Sequence, residues 1–158
     1  MIIYNTLYTA IKERLNSVQS IKLIDWFNEQ YRNYESEKAI PRRAVFIEIL
    51  DPVNWDQMTP GQSGDVSVRL HCVIYDVKDS PVPALEFTQE VYEALQRKDM
   101  MDVNGHQITT EMLRSESNMP KRYDQVKVTQ ITFRAHLYDG SGIDEGQSVN
   151  VPFNVNIN

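Results

Sequence analysis

The residues best able to do chemistry in this chain lie in two stretches, "VRLHCVIYD" at 68–76 and "FRAHLYD" at 133–139. Both run Arg, one residue, His, and both end in Tyr-Asp. The first sets His71 beside Cys72, the single cysteine of the chain. An imidazole next to a thiol is the pairing that activates a nucleophilic cysteine, with the ring taking the thiol proton. The two stretches together also supply His71 and His136 with Asp76 and Asp139, the donor types of a two-histidine, carboxylate metal site.

The elements that must hold these residues decide between such readings. Val66, Val68, Leu70, Cys72 and Ile74 alternate with Ser67, Arg69, His71, Val73 and Tyr75, which predicts a long strand with one apolar and one mainly polar face. Neighbouring side chains on a strand point to opposite faces, so His71 cannot directly take the proton of Cys72. Cys72 reads as a small core residue, as unpaired cysteines are among the most buried side chains. Asp76 and Asp139 fall at strand ends, away from the histidines, and Arg69 and Arg134 on the histidine faces would repel a cation. No metal or cofactor is therefore expected. Arg69, His71, Arg134 and His136 read instead as one polar sheet surface, solvated or turned to a partner. Neither a Gly-x-Ser-x-Gly elbow nor a phosphate loop occurs, so nothing in the sequence calls for an enzyme.

The remaining segments fill out the frame. Ile3, Leu7, Ile11, Leu15 and Val18 recur at helical spacing and predict a first helix over about 3–17. Ile21, Leu23 and Trp26-Phe27 suggest a short strand or irregular packed segment, and Val45 to Leu50 a strand that is apolar on both faces. Trp55 falls on a short edge strand before a hairpin loop at 59–64, where it either covers the core or meets a neighbour. Ser80 and Pro81 open a second helix that runs to about residue 98. His106 beside Asn104-Gly105 is a turn residue. The last strand covers about 125–138 and changes phase, with Val126 and Val128 in one and Ile131, Phe133, Ala135 and Leu137 in the other, so a β-bulge is expected near Gln130.

At 158 residues the chain fits one domain, read as residues 1–139, followed by an extended C-terminal arm at 140–158 in which Val151, Phe153 and Val155 alternate with polar residues. The net charge of −6 with no concentrated basic patch argues against direct binding along a nucleic-acid backbone. One cysteine permits neither an intrachain disulfide nor a cysteine zinc site. The start, "MIIYNTLYTAIKERL", reads as neither a signal peptide nor a membrane span.

The predicted fold is α+β, a mostly antiparallel sheet with two helices packed on one face and a C-terminal extended arm. This order, carried by "LYTAIKERL", "AVFIEIL", "DVSVRLHCVIYD" followed by "ALEFTQEVYEALQ", and "YDQVKVTQITFRAHLYD", resembles the tail-terminator and head–tail joining (tail-completion) proteins of long-tailed bacteriophages and prophages. The likeness covers about residues 3 to 139. Segment 21–40 and the arm depart from that pattern. The resemblance implies a non-enzymatic virion protein, assembled in the host cytoplasm into a self-associated ring, hexameric in form. Such a ring caps the tail tube, meets the head connector and lets DNA pass. The subunit contacts it implies fall on Trp55, on Arg69, His71, Arg134 and His136, and on Val151, Phe153 and Val155. Two other classes stay open: a small enzyme or ligand-binding domain using the Arg/His face, and a monomeric adaptor from a mobile element.

Overall fold

The computed structural model describes residues 2–32, 42–57 and 61–140. In chain order the elements are α1 (Ile2–Leu15), β1 (Leu23–Trp26), β2 (Arg43–Ile49), β3 (Asn54–Gln57), β4 (Gln62–Tyr75), α2 (Val82–Leu95), β5 (Leu113–Ser117), β6 (Lys121–Tyr123) and β7 (Val126–Asp139). The strands form one sheet in the order β1-β2-β4-β7-β5, with β3 also beside β4 and β6 beside β7. Only the β1–β2 pair is parallel, so the fold is the α+β, mostly antiparallel architecture expected.

The two 14-residue strands β4 and β7 are the spine of the sheet. Their register is unbroken from Gln62 opposite Asp139 to Tyr75 opposite Val126. The bulge expected near Gln130 is therefore absent. The irregularity lies on the partner strand, between Arg114 and Glu116 of β5. The change of phase has another physical cause: apolar side chains leave β7 on both faces, because the sheet carries a core on each. Toward the helices, Ile131, Phe133 and Leu137 join Val68, Leu70 and Cys72 of β4 and Leu7, Ile11, Phe87 and Val91 of the helices. On the other face, Val126 and Val128 join Ala44, Phe46, Val73 and Tyr31 in a smaller core.

Both helices lie on the first face. α1 buries Ile3, Leu7, Ile11 and Leu15, as its spacing predicts, and each such side chain contributes roughly 1.5–3 kcal/mol when removed from water. The indole of Trp26, from β1, stacks on Tyr8 of α1 at 4.3 Å and 8° and ties the first helix to the sheet edge. α2 opens after Pro81, with the Val82 amide donating to the Ser80 hydroxyl at 3.3 Å, and buries Ala84, Phe87, Val91 and Leu95. It ends where Arg97 takes a positive φ of 59° and donates its amide to the Met112 carbonyl at 2.8 Å. No described helix is long and apolar enough to cross a membrane.

The turn between β4 and α2 is fixed by two basic side chains, Lys127 and Arg122. Lys127 of β7 is only 5 % exposed and points to the helix side, where its ammonium donates to the carbonyls of Lys78 and Ser80 and to Asp76. Arg122 donates to the carbonyls of Asp76 and Lys78 at 2.9 and 2.6 Å. Arg122 thus helps to close the turn.

Candidate interaction surface

The face of β4 and β7 away from the helices carries the polar residues singled out in the sequence. Going along the strands, the cross-strand pairs are His71 with Gln130, Arg69 with Thr132, Ser67 with Arg134 and Asp65 with His136. The four Arg and His residues therefore share one face. The two histidines are not neighbours: His136 lies opposite Asp65, six positions along β4 from His71, about 20 Å at the rise of a strand. They cannot bind one ion. Among the described residues no cluster of three or more His, Cys, Asp or Glu could hold a metal.

His71 departs from the expected surface position. It is 1 % exposed, because the chain leaving β1 folds across this end of the sheet and lays Phe27 flat on the imidazole, at 3.8 Å and 4° between planes. The expectation that His71 faces solvent or a partner is thus corrected: it is a packed residue of the second core. Its polar atoms are satisfied there. The Tyr31 hydroxyl donates to Nδ1 at 2.8 Å, and the Gln130 amide donates to the Tyr31 oxygen at 3.3 Å. On the other side Nε2–H donates to Glu48 at 3.3 Å, so the network assigns the Nε2–H tautomer of a neutral ring. Burial, and then the nearby Arg69 and Arg32 guanidinium groups, push the His71 pKa down to about 4. Burial likewise holds the Tyr31 hydroxyl above its usual range and keeps it protonated.

Cys72 points to the helix face, as its strand position requires. It is buried, and burial pushes its thiol up to about 12. The thiol and the imidazole of its neighbour therefore lie on opposite sides of the sheet, and neither is poised for nucleophilic chemistry.

The other polar residues remain accessible. Arg134 is exposed, and His136 is half-buried with Nδ1 at 2.9 Å from Asp65. Arg69 donates from Nε to the Thr132 hydroxyl at 3.3 Å, with Glu48 4.0 Å from its Nη1. Beside it lies a depression of about 190 Å³ lined chiefly by Arg32, Arg69, Asn118, Lys121, Tyr123 and Gln130. The Asn118 side-chain amide donates to Gln130 Oε1 at 3.1 Å, which orients the Gln130 amide in this lining.

Trp55 is elsewhere. It pairs with Gly64 across the β3–β4 ladder and lies on the helix face, half-buried against the main core with Tyr4 at 6.4 Å. A Cβ on Gly64 would come within 2.5 Å of the Asn54 carbonyl and 3.1 Å of the Trp55 ring, so glycine is what lets the indole lie over this strand. Of the two roles open to Trp55, covering the core is the one seen. Val151, Phe153 and Val155 lie outside the described residues.

The sequence reading missed Phe27, Tyr31, Arg32 and Lys121 as builders of this face. The available signal was in "WFNEQYR", where Phe27 and Tyr31 stand four apart in a polar context, as two anchors of a short covering segment would.

No known family model and no curated protein matches the sequence. The fold is similar to a chain from the virion of a native gene transfer agent particle, at a TM-score of 0.65 and 11% identity over 87% of this chain and 98% of that one. A second solved chain matches at a TM-score of 0.51 and 11% identity, over 85% of this chain and 94% of the other. At such identities the likeness establishes a shared fold.

Proposed function

We propose that this chain is a structural, non-enzymatic component of a phage-like virion, one that forms a ring at the end of the tail tube and joins it to the head connector. The observation that carries the reading is the fold shared with a virion chain along 98% of that chain's length. The use made of the chemistry-bearing residues supports it. Cys72 fills the main core, His71 is locked beneath Phe27, and Lys127 closes a turn, so each serves packing.

In this reading the outward polar face with Arg69, Arg134 and His136 meets a neighbouring subunit, and His71 supports it from behind. The half-exposed edge at Trp55 and the arm with Val151, Phe153 and Val155 supply further contacts, since strand edges and extended segments are ready means of joining identical copies. The ring is hexameric, its partners are the tube and connector proteins, and it resides in the virion after assembly in the host cytoplasm. Mass photometry of the purified chain, with and without tail tubes, tests this. A closed ring, either free or formed on tube ends, is the expected result. A chain that stays monomeric and does not bind tubes would overturn it.

A further inference from the structure

We infer that the depression lined by Arg32, Arg69 and Lys121 receives the acidic outer row of α2, Glu86, Glu90 and Glu93, from a neighbouring copy of this chain. The inference rests on the ring reading above and names a contact within it. α2 packs on the sheet through Ala84, Phe87, Val91 and Leu95, which turns Glu86, Glu90 and Glu93 outward along one exposed face at helical spacing. The depression opens on the opposite side of the sheet. One domain thus presents a cationic hollow on one side and a carboxylate row on the other. Such unlike surfaces make a head-to-tail contact, the kind that closes into a ring when the rotation between copies permits.

The two sides are prepared for each other. Arg32 uses one nitrogen on Glu29 at 2.7 Å, and Arg69 uses Nε on Thr132, which leaves further N–H groups on both forks to donate to a carboxylate. Both guanidinium groups line the same depression and help to keep the buried His71 ring neutral. At about 190 Å³ the depression has room for carboxylate heads with some of their water. On the helix, Glu90 is held by Ser20 and stands 4.0 Å from Arg43, while Gln89 donates to Glu93 at 3.0 Å, so the row is partly ordered beforehand. A second copy carries the same net charge of −6, so what favours the carboxylate row is its local charge match to the hollow and not long-range attraction.

Charge exchange tests the contact. Arg32→Glu with Lys121→Glu, and separately Glu86→Lys with Glu93→Lys, each weaken self-association at least about tenfold in sedimentation equilibrium, on tail tubes if the free chain is monomeric. Mixing the two reversed proteins restores association. The corresponding glutamine variants, which keep size and exposure, show the same loss if a reversal does not fold. A ring that forms equally well in all variants overturns this contact and leaves the ring reading standing. A wild-type chain that neither self-associates nor assembles on tubes overturns both.

Discussion

At the scale of single residues, His71 shows how a group that suggests chemistry can serve packing instead. Three polar partners and one aromatic cover fix a neutral imidazole, and the cost of charging it in place is visible in a pKa near 4. The ordinary unfolded value is about 6.5. The folded chain therefore binds fewer protons at this site than the unfolded chain between those two values. Its contribution to stability is complete above pH 6.5 and is lost as the pH falls toward 4. His71→Phe removes that dependence. It also leaves the buried Tyr31 O–H without its acceptor, at about 1–3 kcal/mol near neutral pH. Urea unfolding of both proteins between about pH 7.5 and 4 measures it: the gap between them narrows as the pH falls. Parallel curves would mean that the ring is not held neutral.

At the scale of elements, the turn from β4 to α2 depends on Lys127, a buried ammonium at a position where a strand would ordinarily offer an apolar side chain. Lys127→Met keeps length and loses the ammonium, leaving the Ser80 carbonyl without its donor, the Lys78 carbonyl with Arg122 alone and the Asp76 carboxylate with the Lys78 amide. The expected loss is roughly 1–3 kcal/mol, with faster amide exchange concentrated in residues 76–82. Uniform exchange across the domain would point to a general packing defect instead. The Asp76 carboxyl is held below its usual range, first by the Lys78 amide and then by Lys127, so it adds stability above the ordinary carboxylate range that is lost in acid.

The same strand marks what the sequence could and could not convey. Alternation in β4 placed Cys72 and His71 on opposite faces, because one residue of offset always reverses the face. The helical faces of α1 and α2, and the edge position of Trp55, were legible for the same local reason. In β7 the change of phase between Val128 and Ile131 suggests a bulge when the strand is taken alone. The second core depends on Phe27 and Tyr31 crossing the sheet, a contact between residues 31 and 71 that no local period encodes. The burial of His71, and with it the shape of the cationic hollow, was hidden for that reason.

At the scale of the whole molecule, salt weakens two electrostatic forces that act in opposite directions on the self-association proposed above. Copies carrying a net charge of −6 repel one another, and salt weakens that repulsion as the screening length falls from about 10 Å at 0.1 M toward 3 Å at 1 M. Pairing of Arg32, Arg69 and Lys121 with the α2 carboxylates is local attraction between charges that are partly exposed, and salt weakens that also. A contact made chiefly by apolar arms would leave the repulsion as the main electrostatic term, so association would strengthen from about 0.05 to 0.5 M NaCl. A contact made chiefly through the cationic hollow reverses the sign, since close opposite charges outweigh a distributed net charge at short range. Light scattering across that salt series at fixed protein concentration, on tube ends if needed, is expected to show association falling. A rise would point to apolar contacts such as those proposed for Val151, Phe153 and Val155, and the hollow would then set orientation rather than strength.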